Sequence, residues 1–346
     1  MLMPKKLSTF FKETCPQTEA TSRLVDVIEA LAAIVAQVAV AIESAPLHNQ
    51  LGKSDLFNVQ DEQQAQLDVI ANDYFVQGLQ QCNAVAGVVS EELEDALFFE
   101  CDDAYSIKNK KCHYLVAFDP LDGSSNIAVN VALGSIFSVL LAPNTPTLIS
   151  SDFLQKGDQQ KCAGYAIYGP STLLVLTLGN GVHCFAYDRL SATFLLTHAN
   201  MHVPVDAQEF AINTSNQRFW QPPMQRYIAE CLAGADGKRG KNFNMRWVAS
   251  MVADVHRILV RGGVYLYPQD NKQPLKAGRL RLLYEANPMS MIIEQANGTS
   301  STGRQRLLDI TPTHIHQRVP VIMGAKNEVN LIIDYHHVFD IAQTSI

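Results

Sequence analysis

The run Phe118-Asp119-Pro120-Leu121-Asp122-Gly123-Ser124-Ser125-Asn126 follows an apolar segment, Tyr114 to Phe118, and constrains the fold more than any other part of the chain. A buried strand that ends in carboxylates must supply them with partners, because an unpaired charge is costly away from water. Pro120 has no N–H and biases Asp119 toward an extended conformation, so the strand is predicted to stop there with both acids at its end. Two carboxylates three residues apart, with a main-chain carbonyl between them, suit a hard cation that takes oxygen ligands. Gly123 permits close approach, and Ser124, Ser125 and Asn126 offer hydroxyl, amide and backbone donors, as at a phosphate-holding helix start. An isolated Asp-x-x-Asp-Gly would read as an Asp-capped turn. The full run instead points to metal and phosphate binding side by side.

Glu91-Glu92 follows the strand-like Val85 to Val89, with Glu94 and Asp95 beyond. Adjacent carboxylates repel unless a cation or proton separates them. Asp68, on a predicted helix, and Glu285, after the strand-like Leu280 to Tyr284, complete the acids that a two-metal phosphatase requires as ligands and base. No His or Cys clusters with them, which favours magnesium or manganese over zinc. Arg246, Arg279 and Arg281 are candidate anion partners, since a guanidinium can fork across a phosphate. His314 and His316 are expected on one face of a strand in a structural role. Gly234 to Lys238 lacks the spacing of a nucleotide-binding loop.

The remaining chain reads as an ordinary globular protein. With 27 Lys+Arg against 34 Asp+Glu, the charge of −7 argues against nucleic acid or an anionic membrane as partner. Seven cysteines, an odd number without a Cys-x-x-Cys pair, predict no disulfide framework and a reducing, cytoplasmic setting. Thr21 to Ser44 has helical apolar spacing, and its apolar stretch from Ala30 to Ile42 falls short of the roughly 20 residues of a membrane span. Leu67 to Gln80, Arg246 to Val260 and Pro288 to Ala296 are further predicted helices. Strands are expected at Ala86 to Val89, Tyr114 to Phe118, Ile136 to Leu141, Ala163 to Tyr168, Leu173 to Leu178, Val182 to Tyr187, Thr193 to Thr197 and Val264 to Tyr267. Asn180-Gly181 marks a hairpin, and Gly262-Gly263 a helix stop. The character changes near Pro204, giving two expected parts, 1–203 and 204–346. The fold class is mixed α/β with mixed sheets.

These motifs resemble those of class I fructose-1,6-bisphosphatase. The similarity lies in Val89 to Glu92, Phe118 to Ile127, Gly164 to Gly169, Ser250 to Arg257, Leu280 to Met289 and Asp309 to Arg318, in the family's order from about Asn58 to Gly324. The resemblance implies a layered αβαβα sugar-phosphatase fold, usually tetrameric and cytoplasmic, that hydrolyses the 1-phosphate of fructose 1,6-bisphosphate in gluconeogenesis. It implies that Glu91, Glu92, Asp119, Asp122, Glu285 and the Leu121 carbonyl serve two or more magnesium ions, with manganese as an alternative. Glu92 and Asp68 would orient and deprotonate water, and Glu62 would sit on a loop that closes over the metals. Asp122, Gly123, Ser124 and Ser125 would meet the 1-phosphate end. Asn213, Tyr267, Arg246 and Trp247 would meet the 6-phosphate, Arg246 from a neighbouring subunit, while Met251 and Arg279 line the sugar. Trp247 stands in place of a tyrosine, Arg279 in place of a frequent lysine, and Asp61 in place of a glycine. Residues 1–50 show little of the family's Gly-rich AMP-binding loop. Alternatives are a sedoheptulose-1,7-bisphosphatase or dual-substrate enzyme, and a non-catalytic sugar-phosphate sensor; the intact set of acids disfavours the sensor.

Overall fold

The computed structural model describes residues 5–16, 18–48, 50, 52–57, 63–100, 113–272 and 277–344. The described helices are α1 (Leu7–Thr14), α2 (Glu19–Ser44), α3 (Gln66–Gln80), α4 (Pro222–Leu232), α5 (Met251–Arg261), α6 (Asn287–Gln295) and α7 (Lys326–Thr344). The strands run β1 (Lys53–Phe57), β2 (Gln63–Ala65), β3 (Val85–Ser90), β4 (Leu97–Phe98), β5 (Tyr114–Asp122), β6 (Leu133–Leu141), β7 (Cys162–Tyr168), β8 (Thr172–Thr177), β9 (His183–Asp188) and β10 (Thr193–His198). They continue with β11 (Glu209–Ala211), β12 (Asn244–Met245), β13 (Val264–Tyr267), β14 (Leu280–Arg281), β15 (Thr299–Ser301), β16 (Arg318–Val319) and β17 (Val321–Gly324).

Among the described residues, β3 to β10 form an eight-stranded sheet in the order β10-β9-β8-β7-β6-β5-β3-β4. A five-stranded sheet has the order β12-β11-β13-β17-β15. Alternation along the strands gives each sheet two apolar faces, and the buried clusters show what covers them. Phe118, Phe137 and Leu174 face Ile28, Leu31 and Val35 of α2 and Phe75 of α3. On the opposite face, Ile136, Tyr165 and Val175 meet Val252 and Val255 of α5 and Ile292 of α6, which also cover Tyr265 and Met323 of the second sheet. Phe210, Val264 and Ile322, on that sheet's far face, pack on Met224 and Ile228 of α4 and Val329 and Ile332 of α7. The layers therefore run helix, sheet, helix, sheet, helix, as the resemblance implied.

Helix α2 is 26 residues long, so the expected short apolar helix is long and apolar enough to cross a membrane. Its Val27, Ile28, Leu31 and Val35 are fully covered by the first sheet and α3, the burial of a core helix. The Asn180-Gly181 turn joins β8 and β9 as an antiparallel hairpin. Gly262 and Gly263, at φ +79° and +142°, end α5 at Arg261. No disulfide joins the described cysteines.

Four expectations change. Pro120 does not end its strand: β5 continues to Asp122 beside β6, with an irregular register between Asp119 and Asp122. Pairing with β3 stops at Phe118, so a missing N–H at Pro120 removes no bond on that side. The strand expected at Leu280 to Tyr284 keeps only Leu280–Arg281; Leu282–Ala286 forms a π-helical turn that runs into α6. Arg246 to Ala249 lies outside α5, because Ser250 caps that helix by accepting the Ala253 N–H at 3.3 Å. His314 and His316 lie in a turned segment ahead of β16 rather than on a strand.

Candidate metal centre and sugar-phosphate cleft

β3 and β5 are parallel, so their carboxyl ends lie together, the usual place for ligands in such sheets. Ser90 pairs with Phe118, and the Glu91 N–H donates to the Phe118 carbonyl at 3.2 Å. That register sets the Glu91-Glu92 turn beside Asp119. Carboxylate oxygens of Asp119, Asp122 and Glu285 lie within 4.8 Å of one another, and all three side chains are buried.

Each acid is held by the elements around it. The Asp119 carboxylate accepts the Leu121 N–H at 3.1 Å. Asp122 accepts Ser250 Oγ at 2.5 Å and the amides of Met251 at 3.2 Å and Val252 at 2.9 Å, so it sits on the N-terminus of α5. Gly123 has φ +83°, and an added Cβ would lie 2.8 Å from Ser250 Cβ; both conditions demand glycine. Glu285 is turned back by the π-helical turn to accept the Arg281 N–H at 2.6 Å. Arg281 itself is buried and pairs with Glu91 at 3.0 Å. It is thus committed to the acids rather than presented to a phosphate, contrary to its expected role.

Burial pushes Asp119 well above the ordinary carboxylate range, and the charges of Glu91, Asp122, Glu285 and Glu92 push it further. Burial also raises Asp122 and Glu285; bonds from Ser250, Val252 and Met251 oppose the rise in Asp122, and Arg281 opposes it in Glu285. Such a group holds protons or a divalent cation, not a set of bare charges. Asp68 belongs to it: burial, with Glu91 adding, lifts its pKa to about 7. Asp68 Oδ2 accepts the Ala65 N–H at 2.8 Å, while its buried Oδ1 has no hydrogen-bond partner among the described residues. An orphaned buried carboxylate oxygen beside an all-oxygen donor set fits magnesium or manganese. Glu62 and Asp61 lie outside the described residues.

The expected 6-phosphate residues converge in part. Asn213, Trp247 and Tyr267 line one cleft together with Asn216, Trp220 and Asp270. Trp247 stacks on Tyr265 at 6.1 Å between ring centroids and packs against the core between the sheets, so it carries structural weight too. Arg246 is exposed and donates to the Met245 carbonyl at 3.1 Å, outside this cleft's lining. Arg279 lies 3.6 Å from Asp270 in the cleft wall. The Met251 side chain is buried; its backbone, not its thioether, touches Asp122. Ser124 and Ser125 are exposed at the start of the short 3-10 helix Ser124–Val129. Tyr267 connects the two regions, because the charges of Arg279, Asp270 and Glu285 all act on its hydroxyl.

Sequence reading missed several supports. Asp254 accepts the Val248 N–H at 3.0 Å and holds the turn in which Ala249 has φ +65°. Ser135 Oγ donates to the Pro120 carbonyl at 2.7 Å, fixing the peptide before Leu121. Ser250 and Asp254 each fall within a helix-start pattern, a signal that could have flagged them; nothing local marked Ser135.

Fold and centre together define a layered α/β metal-dependent phosphatase. Models of the fructose-1-6-bisphosphatase N-terminal domain and C-terminal domain match residues 6–199 and 203–337. The chain is 54% identical over 316 residues to class 1 fructose-1,6-bisphosphatases from two strains of Acinetobacter baumannii, covering 91% of this chain and 95% of each relative. Its fold is similar to Leishmania major fructose-1,6-bisphosphatase in holo form, with TM-score 0.88, 34% identity and coverage of 97% of this chain and 100% of that one. The apo form matches with TM-score 0.83, 33% identity and coverage of 96% and 99%. The chain belongs to the fructose-1,6-bisphosphatase family.

Proposed function

We propose that this chain hydrolyses the 1-phosphate of D-fructose 1,6-bisphosphate to fructose 6-phosphate and inorganic phosphate, a step of gluconeogenesis, with magnesium as cofactor. The observation that carries this reading is the buried convergence of Asp119, Asp122 and Glu285, joined through Tyr267 to the cleft of Asn213 and Trp247. Glu91, Glu92, Asp119, Asp122, Glu285 and the Leu121 carbonyl hold the divalent ions. When bound, these ions neutralise phosphate charge and lower the pKa of water.

The chain's own groups do the rest. Ser124, Ser125 and the backbone from Gly123 receive the 1-phosphate, and Asn213, Tyr267, Trp247, Arg279 and a neighbouring subunit's copy of Arg246 receive the far end of the sugar. Asp68, with a pKa near 7, accepts the proton of the attacking water together with Glu92, an arrangement matched to neutral pH. The water oxygen forms the new bond to phosphorus, the bond from phosphorus to the C1 oxygen breaks, and that oxygen leaves protonated. No covalent Ser or Cys intermediate is needed. Glu62 is assigned to a loop that closes over the site. The parts 1–203 and 204–346 supply the metal side and the sugar-phosphate side, a homotetramer is the working assembly, and the cytoplasm is the setting.

Purified protein given fructose 1,6-bisphosphate and magnesium should release one phosphate per sugar, with fructose 6-phosphate identified by phosphorus NMR. Absence of release with any divalent metal would sink the proposal. Sedoheptulose 1,7-bisphosphate run in parallel should show the lower kcat/KM; the reverse ratio would reassign the substrate.

A further inference from the structure

The metal acids come from two stretches of chain far apart in sequence. Glu91 and Glu92 lie in the turn after β3, and Glu285 lies in the π-helical turn before α6. On its strand side the first turn is fastened by Glu91 N–H to Phe118 O at 3.2 Å and Glu92 N–H to Ser90 Oγ at 3.2 Å. Its other side meets His316. The Nε2 of His316 lies 3.0 Å from the Glu94 carbonyl, and its Nδ1 lies 2.9 Å from the Tyr284 hydroxyl. A carbonyl only accepts, so Nε2 carries the proton and donates, and Nδ1 accepts from Tyr284. Tyr284 is fully buried next to Glu285, and its ring meets the imidazole edge-on at 6.0 Å. Burial lowers the basicity of His316, in keeping with a neutral ring that donates at one nitrogen and accepts at the other.

We propose that His316 is a positioning residue: its imidazole ties the Glu91-Glu92 turn to Tyr284-Glu285 and thereby sets the spacing of the metal carboxylates. It touches neither substrate nor metal in this role. Arg281, paired with Glu91 from the same side, is a second tie, but it acts through charge, whereas His316 fixes the turn's backbone. The inference rests on the reading of these acids as metal ligands. Residues behind a metal's ligands typically change affinity by about 10-fold to 100-fold when removed.

The test is calorimetric Mn2+ binding to the full chain, with turnover of fructose 1,6-bisphosphate measured in parallel. Wild-type protein that neither binds Mn2+ nor needs it would defeat the metal reading itself, separately from this inference. Given metal-dependent wild type, His316→Ala should weaken Mn2+ binding by about 10-fold or more. The KM for the bisphosphate at saturating Mn2+ should stay within about twofold, because the cleft is not touched. His316→Gln, whose amide can still donate to Glu94, should recover most of the affinity, and Tyr284→Phe should weaken it less than the Ala variant does. Unchanged Mn2+ affinity in His316→Ala overturns the proposal, as does an equal loss in the Ala and Gln variants. If His316→Ala does not fold, Tyr284→Phe decides, and wild-type affinity there overturns it.

Discussion

Asp119→Asn should abolish turnover while making the metal-free protein more stable. Asn keeps the shape of Asp and can still accept the Leu121 N–H through Oδ1, so the local backbone is retained. What it removes is one negative charge from a buried group in which Glu91, Asp122, Glu285 and Glu92 all act against Asp119. Without metal that removal relieves repulsion, and thermal unfolding of the variant should move up by several degrees. With metal the same change deletes a ligand. A metal stabilises the transition state by several kcal/mol, so a loss of about 10³-fold or more in kcat is expected. Calorimetric scans of EDTA-treated protein and phosphate-release assays at saturating magnesium read the two halves separately. A variant that loses activity and stability together would instead show Asp119 acting as a structural group.

The second large effect is on pH. Asp68 and Asp254 are each raised to about 7, chiefly by burial, and Asp119, Asp122 and Glu285 are raised as well. A carboxyl whose pKa is higher in the folded state binds more protons there than in the unfolded chain. The folded state is therefore favoured at low pH, and this advantage disappears as pH rises from about 4 through about 7. For Asp68 alone the shift corresponds to on the order of 4 kcal/mol. Metal-free protein should lose stability in denaturant titrations between about pH 5 and 8. Saturating magnesium should flatten or reverse that slope, since the cation replaces the protons on the same oxygens. Asp68→Asn should reduce the slope without metal. A metal-free stability that rises over this window would contradict the placement of these acids as a buried, partly protonated group.

The parts of this site legible in sequence were those written in consecutive residues. An apolar strand followed by Asp119-Pro120-Leu121-Asp122-Gly123 announced carboxylates delivered to one place, and Asn180-Gly181 announced a hairpin, because backbone constraints act locally. The doubled acid Glu91-Glu92 became interpretable once the parallel pairing of β3 with β5 placed it beside Asp119. The π-helical turn at Leu282–Ala286 was not legible, since its apolar residues fit a strand as well and only tertiary contacts choose. Helix α7 was missed for a related reason: Val329, Ile332 and Tyr335 face the core, but Val338 and Ile341 are exposed, so the apolar residues mark no single face. Arg281 looked like a phosphate clamp because charge is visible in sequence, whereas the partner that claims it, Glu91, is 190 positions away. The bonds from Ser135 to Pro120, Ser250 to Asp122 and His316 to Glu94 likewise join residues whose meeting the topology alone decides.

The central claim is that one buried acidic centre makes this chain a metal-dependent sugar bisphosphatase. Its most direct test follows Mn2+ binding and fructose 1,6-bisphosphate hydrolysis together during metal titration of EDTA-treated protein. The expected result is no turnover without metal, then saturable activity that rises in step with binding and is absent in Asp119→Asn. Full turnover in EDTA, or wild-type binding and activity in Asp119→Asn, would contradict the account.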